Sequence, residues 1–332
     1  MLRDLLRLFS RYLLLALCVI LINFFLPRML PGDPLNFSSD DGLDAAVPLT
    51  AAARAELAAY YNLGESPLAQ LRSYVHDLLT GDLGLSISRS VPVRDLILDR
   101  LPWTLSLLLV SLLLSASIGT VAGMVAGWVP GSRRDRLLIS ASGMLAAIPE
   151  FLIAIGLLLA GAVGLAWFPL FGGETVFTKT GGGAFGVARH ALDITYHLIL
   201  PAATLALAGV SAFTLVTRDA TAGLQNEPWL VAARAKGLDE HQIAIRHALP
   251  NIAAPLITFF GLRLGAVLSG ALVVERVFSI PGLGLLGFQA IGARDYPVLQ
   301  ALFLLSSLGV LFVAFLVELS YLLIDPARKS HR

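Results

Sequence analysis

Charge is scarce in this chain: 14% of its 332 residues are Asp, Glu, Lys or Arg, against roughly 25% in an ordinary soluble domain. With 56% of residues hydrophobic, that scarcity argues against a water-soluble fold. Formal net charge is +1, and no basic block occurs. Charge therefore indicates neither nucleic-acid binding nor a polybasic lipid patch. The single cysteine, Cys18, lies in an apolar run and has no intrachain partner, so it reports no redox compartment. Nucleotide chemistry is missing too, because there is no Gly-x4-Gly-Lys-Ser/Thr loop to hold phosphates. No Gly-x-Ser-x-Gly elbow is found. The histidine pairs His190/His197 and His241/His247 lack the i, i+4 spacing with Glu of a helical zinc hydrolase. The candidate site thus contains no metal ligands and no catalytic residue.

What the chain has is long apolar runs. A bilayer-spanning helix needs about 20 residues for about 30 Å of hydrocarbon. Six stretches qualify: Leu8 to Leu26, Pro102 to Val129, Leu137 to Leu165, Ile194 to Thr217, Ala253 to Val274 and Val298 to Val317. Each must be helical, since backbone in lipid has to satisfy its own hydrogen bonds and the ten-residue alternation of barrel strands is missing. The expected fold is an all-α membrane protein of six transmembrane helices. The first run follows Arg3, Arg7 and Arg11, as in a signal peptide. It ends in Leu26-Pro27-Arg28 without a small-residue cleavage site, and is read as a retained anchor.

Orientation follows from the basic residues of the connections. With the N-terminus inside, the inner segments hold Arg3, Arg7, Arg11; Arg133, Arg134, Arg136; Arg218, Arg234, Lys236, Arg246; and Arg328, Lys329, Arg332, which is 13 of 24. Both termini are thereby placed in the cytoplasm. Residues 1–101 are read as an anchor helix plus an external docking segment, 102–325 as the membrane domain and 326–332 as a cytoplasmic tail. In the docking segment, Leu57, Tyr60, Tyr61, Leu68, Leu71, Tyr74 and Leu78 recur near helical spacing, predicting short helices over Leu49 to Leu79. Gly181-Gly182-Gly183 has neither a strand before it nor Lys-Ser/Thr after it, and reads as a flexible loop.

The inner segment 218–252 is long for a bundle connection, which usually takes two to eight residues. Its core, AARAKGLDEHQIAIRHALPN, favours helix up to Lys236, breaks at Gly237 and resumes from Asp239, a candidate N-cap. At these residues the chain resembles the permease family of ABC importers, in its dipeptide, oligopeptide and nickel branch. The family's Glu-Ala-Ala-x3-Gly-x9-Ile-x-Leu-Pro signature is matched at Ala232, Ala233, Gly237, Leu249 and Pro250, with Val231 in place of the Glu and His247 in place of the Ile. The branch's own ARAKGL and RHALxN patterns stand at Ala233 to Leu238 and Arg246 to Asn251. Further matches run along the chain: Leu30 to Pro34, Gly81 to Gly84 with Ser86, Arg100-Leu101-Pro102, Ile148 to Phe151, Val277 to Gly284, Ala293 to Pro297, and Tyr321 with Asp325-Pro326.

The resemblance implies that Ala232, Ala233, Arg234, Lys236, Gly237, Leu238, Leu249 and Pro250 form a coupling element docked on an ATPase subunit. Small residues would let the short helix sit deeply in a cleft, and glycine would permit the sharp turn. It further implies a second homologous permease, two ABC ATPase subunits carrying ATP and Mg, and an external solute-binding protein, around a pathway working by alternating access in the bacterial inner membrane. This chain would bind no cofactor itself and would meet membrane lipid. Peptides are the substrate favoured by the N-terminal matches, with nickel chelates, glutathione-like or opine-type solutes as alternatives. Polar groups inside spans are costly and tend to face a cavity, a partner or an interface. Glu150, after Pro149, is read either as near the pathway or as satisfied within the bundle; Arg263 either pairs with it or marks a span displaced toward the cytoplasm. Glu275 and Arg276 are read as interfacial. A secondary transporter would show internal repeats with matching broken helices, and a membrane enzyme would need a convergent set of polar residues; neither pattern is seen.

Overall fold

The computed structural model describes residues 2–29, 66–175 and 184–324. The motifs Leu30 to Pro34, Gly181 to Gly183 and Asp325-Pro326, the 49–65 part of the expected docking helices and the tail Arg328, Lys329 and Arg332 lie outside the described residues. Among the described residues the chain is helical, with one isolated bridge pairing Leu85 and Pro92 and no named strand. The helices are α1 (Leu2–Met29), α2 (Pro67–Thr80), α3 (Val93–Trp128), α4 (Arg133–Ala147), α5 (Glu150–Leu157), α6 (Ala184–Gly223), α7 (Pro228–Ala235), α8 (Glu240–Ile243), α9 (Leu249–Gly270), α10 (Leu272–Phe278), α11 (Leu283–Gly292) and α12 (Tyr296–Ile324).

Five helical stretches are long and apolar enough to cross a membrane, and two bent pairs raise the count to as many as seven. The run from Leu137 to Leu165, expected as one span, is the pair α4 and α5, turned by 92°. Pro149 is the cause: it caps α5 in an extended conformation, with φ −56° and ψ 139°, and it denies the preceding turn a donor. The second pair, α10 and α11, turns by 89° within what was expected to be a connecting loop. There the chain passes through Ser279 at φ 53°.

The centre is the pairing of α3 with α6. Gly119, Gly123 and Gly127 recur every fourth residue on α3 and face α6 at backbone contact. A Cβ on Gly123 would stand 2.5 Å from both the Thr214 carbonyl and Thr217 Cβ, and one on Gly119 2.4 Å from Phe213 Cβ. Gly209 gives the reciprocal approach to Ser115, whose hydroxyl donates to the Ala206 carbonyl at 2.9 Å. In lipid, where apolar side chains gain nothing by meeting one another, such close approach and interhelical hydrogen bonding are what hold helices together.

Polar ties close both ends of the bundle. At one end, Arg218 at the foot of α6 holds the buried Asp135 of α4 through Nε at 3.0 Å and Nη2 at 2.8 Å. Ser132 caps that helix by accepting from Asp135 N at 3.1 Å. At the other end, Asp193 accepts from Thr175 N and Oγ1 at 2.7 and 2.6 Å, and Gly172 N donates to Phe278 O at 2.9 Å. Helix α1 runs antiparallel to α12, with Arg11 and Tyr12 on Glu318 and Asn23 on Gln300. The start of α1 and the finish of α12 therefore share the Arg218 end.

Candidate functional site

The segment joining α6 to α9 folds as its local signals require. Pro228 opens α7, where a missing N–H costs nothing. After Ala235 the chain reverses at Gly237, whose φ of +75° belongs to the left-handed region that favours glycine. Asp239 caps α8 by accepting from His241 N at 3.1 Å. The turn is braced by Glu240, which receives Arg234 Nε at 2.9 Å and Trp128 Nε1 at 2.8 Å. Between Ala244 and Ala248 the helix widens to a π-turn and then enters α9 at Leu249-Pro250.

The two signature alanines have different surroundings. Ala233 is 7% exposed and packs with Leu230 and Ile243 against Trp128 and Trp229. Ala232, Arg234, Lys236, Gly237 and Leu238 are exposed, as is Val231 at 60%. Leu249 is half-buried and Pro250 exposed. Helix α7 is thus pinned by Leu230 and Ala233 while presenting a small, partly apolar face outward at the Arg218 end of the bundle.

Midway along the helices lies a cavity of about 250 Å³ lined by residues of α3, α5, α6 and α9, including Ser111, Ser115, Ala208, Glu150 and Arg263. Glu150 is the first residue of α5, directly after the exposed Pro149, and its Oε1 is buried with no hydrogen-bond partner. Arg263 lies over the Phe259 ring at 5.3 Å. The two charges attract across the cavity without forming an ion pair within 4 Å. The structure thus shows Glu150 unsatisfied by the bundle, and shows Arg263 sharing its cavity rather than touching it.

At the opposite end two sequence motifs close on each other. Asp295, just before α12 and 1% exposed, accepts from Ser86 Oγ at 2.5 Å, Ser88 Oγ at 2.6 Å, Ser88 N at 3.1 Å and Ile87 N at 3.2 Å. Gly81 and Gly84, with φ +79° and +88°, shape the approach to this latch. Nearby α2 lies on α1, with the Tyr74 hydroxyl accepting from Asn23 Nδ2 at 2.9 Å. Of its predicted apolar positions, Leu71, Tyr74 and Leu78 are half-buried, whereas Leu68 is exposed.

Glu275 corrects the interfacial reading: it is fully buried. Its carboxylate accepts from Thr104 Oγ1 at 2.6 Å and Leu285 N at 2.9 Å, and Thr104 in turn accepts from Leu283 N at 2.7 Å. The Pro281-Gly282-Leu283-Gly284 motif is the cradle, since a Cβ on Gly282 would lie 2.2 Å from the Glu275 carboxylate carbon. Arg276 instead stacks on Phe288 at 3.7 Å. Periodicity could not have found this site; the signal is the glycine pair seven and nine residues beyond the acid. Among the described residues no three His, Cys, Asp or Glu side chains are grouped to hold a metal ion.

A bent-helix bundle with a backbone-close α3–α6 pair, a pocket bearing opposite charges and a braced helical hairpin at one end is the architecture of a multi-pass membrane protein. Residues 119–330 match the family described as binding-protein-dependent transport system inner membrane component, and the chain belongs to that family. It is 33% identical to the oligopeptide transport system permease protein AppB of Bacillus subtilis over 94% of each chain. It is also 29% identical to the dipeptide transport system permease protein DppB of the same organism, over 95% of this chain and 94% of the relative. The glutathione transport system permease protein GsiC of Escherichia coli is 31% identical over 93% of both.

Proposed function

We propose that this chain is one of two permease halves of an ATP-driven importer, carrying peptides inward by alternating access. The observation that carries the reading is the construction of α7. Its inner side is fixed by Leu230 and Ala233, its turn is braced by Arg234, Glu240 and Trp128, and Val231, Ala232 and Leu238 remain outward. A helix held this rigidly transmits force to the bundle when a partner moves against it. In this reading the Arg218 end faces the cytoplasm, α7 and the Leu249-Pro250 entry of α9 engage an ATPase subunit carrying ATP and Mg, and the Asp295 end meets a solute-loaded binding protein. A second, homologous permease completes the pathway around Pro149, Glu150 and Arg263. The chain performs no catalytic step; hydrolysis belongs to the ATPase pair.

Peptide as substrate is supported by full-length similarity to permeases named for oligopeptide and dipeptide transport. The glutathione permease among the relatives favours, as a second reading, a peptide-like thiol; nickel or opine-type solutes are less favoured. The test is uptake of labelled dipeptide, tetrapeptide, glutathione and nickel by cells with this chain deleted or restored. Rescue of the peptide arms alone supports the proposal, rescue of glutathione alone supports the second reading, and rescue of nickel alone overturns both.

A further inference from the structure

The cavity between α3, α5, α6 and α9 contains two opposite charges that no described residue neutralises at contact. Glu150 keeps an oxygen buried without a donor, and Arg263 has aromatic company in Phe259 but no described carboxylate within 4 Å. A buried charge is costly unless paired and hydrogen-bonded. Glu150 bears that cost at its buried oxygen, while the exposed Arg263 stands on the same pocket with the opposite sign, and neither group stabilises the bundle through contact with the other. They are well suited to a solute that brings its own charges of opposite sign. Ser111, Ser115 and Gly209 line the same space. The Ser111 hydroxyl is bonded to the Leu107 carbonyl at 2.7 Å and the Ser115 hydroxyl to Ala206, so these groups are already satisfied and leave the two charges as the free polar determinants.

We infer that this cavity is a solute subsite for zwitterionic peptides, Glu150 taking the terminal ammonium and Arg263 the terminal carboxylate. The inference rests on the peptide reading given above. Each charge is then paired at contact only while a solute is present, and the burial of the Glu150 oxygen is offset by the solute's ammonium. A planar guanidinium suits a carboxylate because it offers two parallel donors. A peptide blocked at either end would leave one of the two protein charges unpaired, and a site built on hydrogen bonds rejects analogues that lack them.

The test uses the complete transporter reconstituted in vesicles, with Cys18→Ser and Ala208→Cys in this chain, Ala208 being a half-buried lining residue. Maleimide labelling of this chain is followed with trialanine, N-acetyl-trialanine or trialanine amide present, and import of labelled trialanine is measured on the same preparation. Trialanine should slow labelling at least fivefold and either blocked form less than twofold. In Glu150→Gln trialanine should protect no better than the N-acetyl form, and in Arg263→Gln no better than the amide, a pattern that a purely structural role would not produce. Equal protection by free and blocked peptides, or none in a preparation that imports trialanine, overturns the inference while leaving the peptide reading intact. If the preparation imports no peptide at all, the functional reading falls and the inference with it.

Discussion

Replacing Asp295 by Ala should unlatch the loop at Ser86 to Ser88 from the start of α12 without unfolding the bundle. Four hydrogen bonds end on that carboxylate, two from hydroxyls and two from the amides of Ile87 and Ser88. The hydroxyls can re-pair, since Ser86 Oγ and Ser88 Oγ are already 3.5 Å apart, so only the two amides are counted. Hydrogen bonds to a charged group contribute about 1.5–3 kcal/mol each; taking the lower figure for both amides gives about 3 kcal/mol. At about 1.4 kcal/mol per tenfold, local opening becomes roughly 150-fold more frequent. Hydrogen exchange of the Ile87 and Ser88 amides in detergent-solubilised protein reads this directly, with amides inside α3 as the internal reference. Asp295→Asn, which keeps one acceptor, should fall between, at roughly tenfold. Exchange within threefold of wild type in Asp295→Ala would refute the assignment of this carboxylate as the latch.

Gly123→Ala places a methyl 2.5 Å from the Thr214 carbonyl, so α3 and α6 must separate; overpacking costs about 1–3 kcal/mol and should lower the melting temperature in detergent, whereas Gly143→Ala, which meets nothing within 4 Å, should not. Thr104→Val keeps the shape but removes both the donor to Glu275 and the acceptor for Leu283 N. A loss of about 1–3 kcal/mol is expected in a denaturation midpoint, and an unchanged midpoint would mean the carboxylate is held by other groups. Gly237→Asp adds a Cβ that meets nothing within 4 Å, so the protein should still reach the membrane, but Asp at φ +75° strains the turn after α7 and should abolish uptake and ATPase coupling; normal transport would remove α7 from the coupling role.

What the sequence revealed was whatever is encoded locally. The helix, turn and second helix around Gly237 follow from a run of helix formers, a glycine and an Asp cap within a dozen residues, and α7 and α8 take that form. Apolar runs located the long helices because hydrocarbon demands length and continuity. A proline inside an apolar run disturbs a helix, but whether Pro149 kinks it or turns it by 92° depends on what α5 packs against, which no local pattern states. Glu275 was misplaced for the related reason that its partners come from Thr104, 171 residues away, and from a glycine turn that looks like any surface turn. Ser86 and Asp295 stood in two recognisable motifs, but that one grips the other is a three-dimensional fact. The glycine stripe of α3 did carry a legible spacing, with small residues every fourth position.

In the proposed importer the outward face of α7 transmits ATP-driven movement to a peptide pathway. This transmission is tested most directly by ATP-dependent uptake of labelled dipeptide into vesicles containing the complete transporter, with Ala232→Arg beside wild type. Ala232 is exposed and packs against nothing in the core, so the variant should assemble in the membrane at normal levels, lose uptake by at least tenfold and lose stimulation of ATP hydrolysis by the loaded binding protein. Uptake by Ala232→Arg equal to wild type would contradict the account.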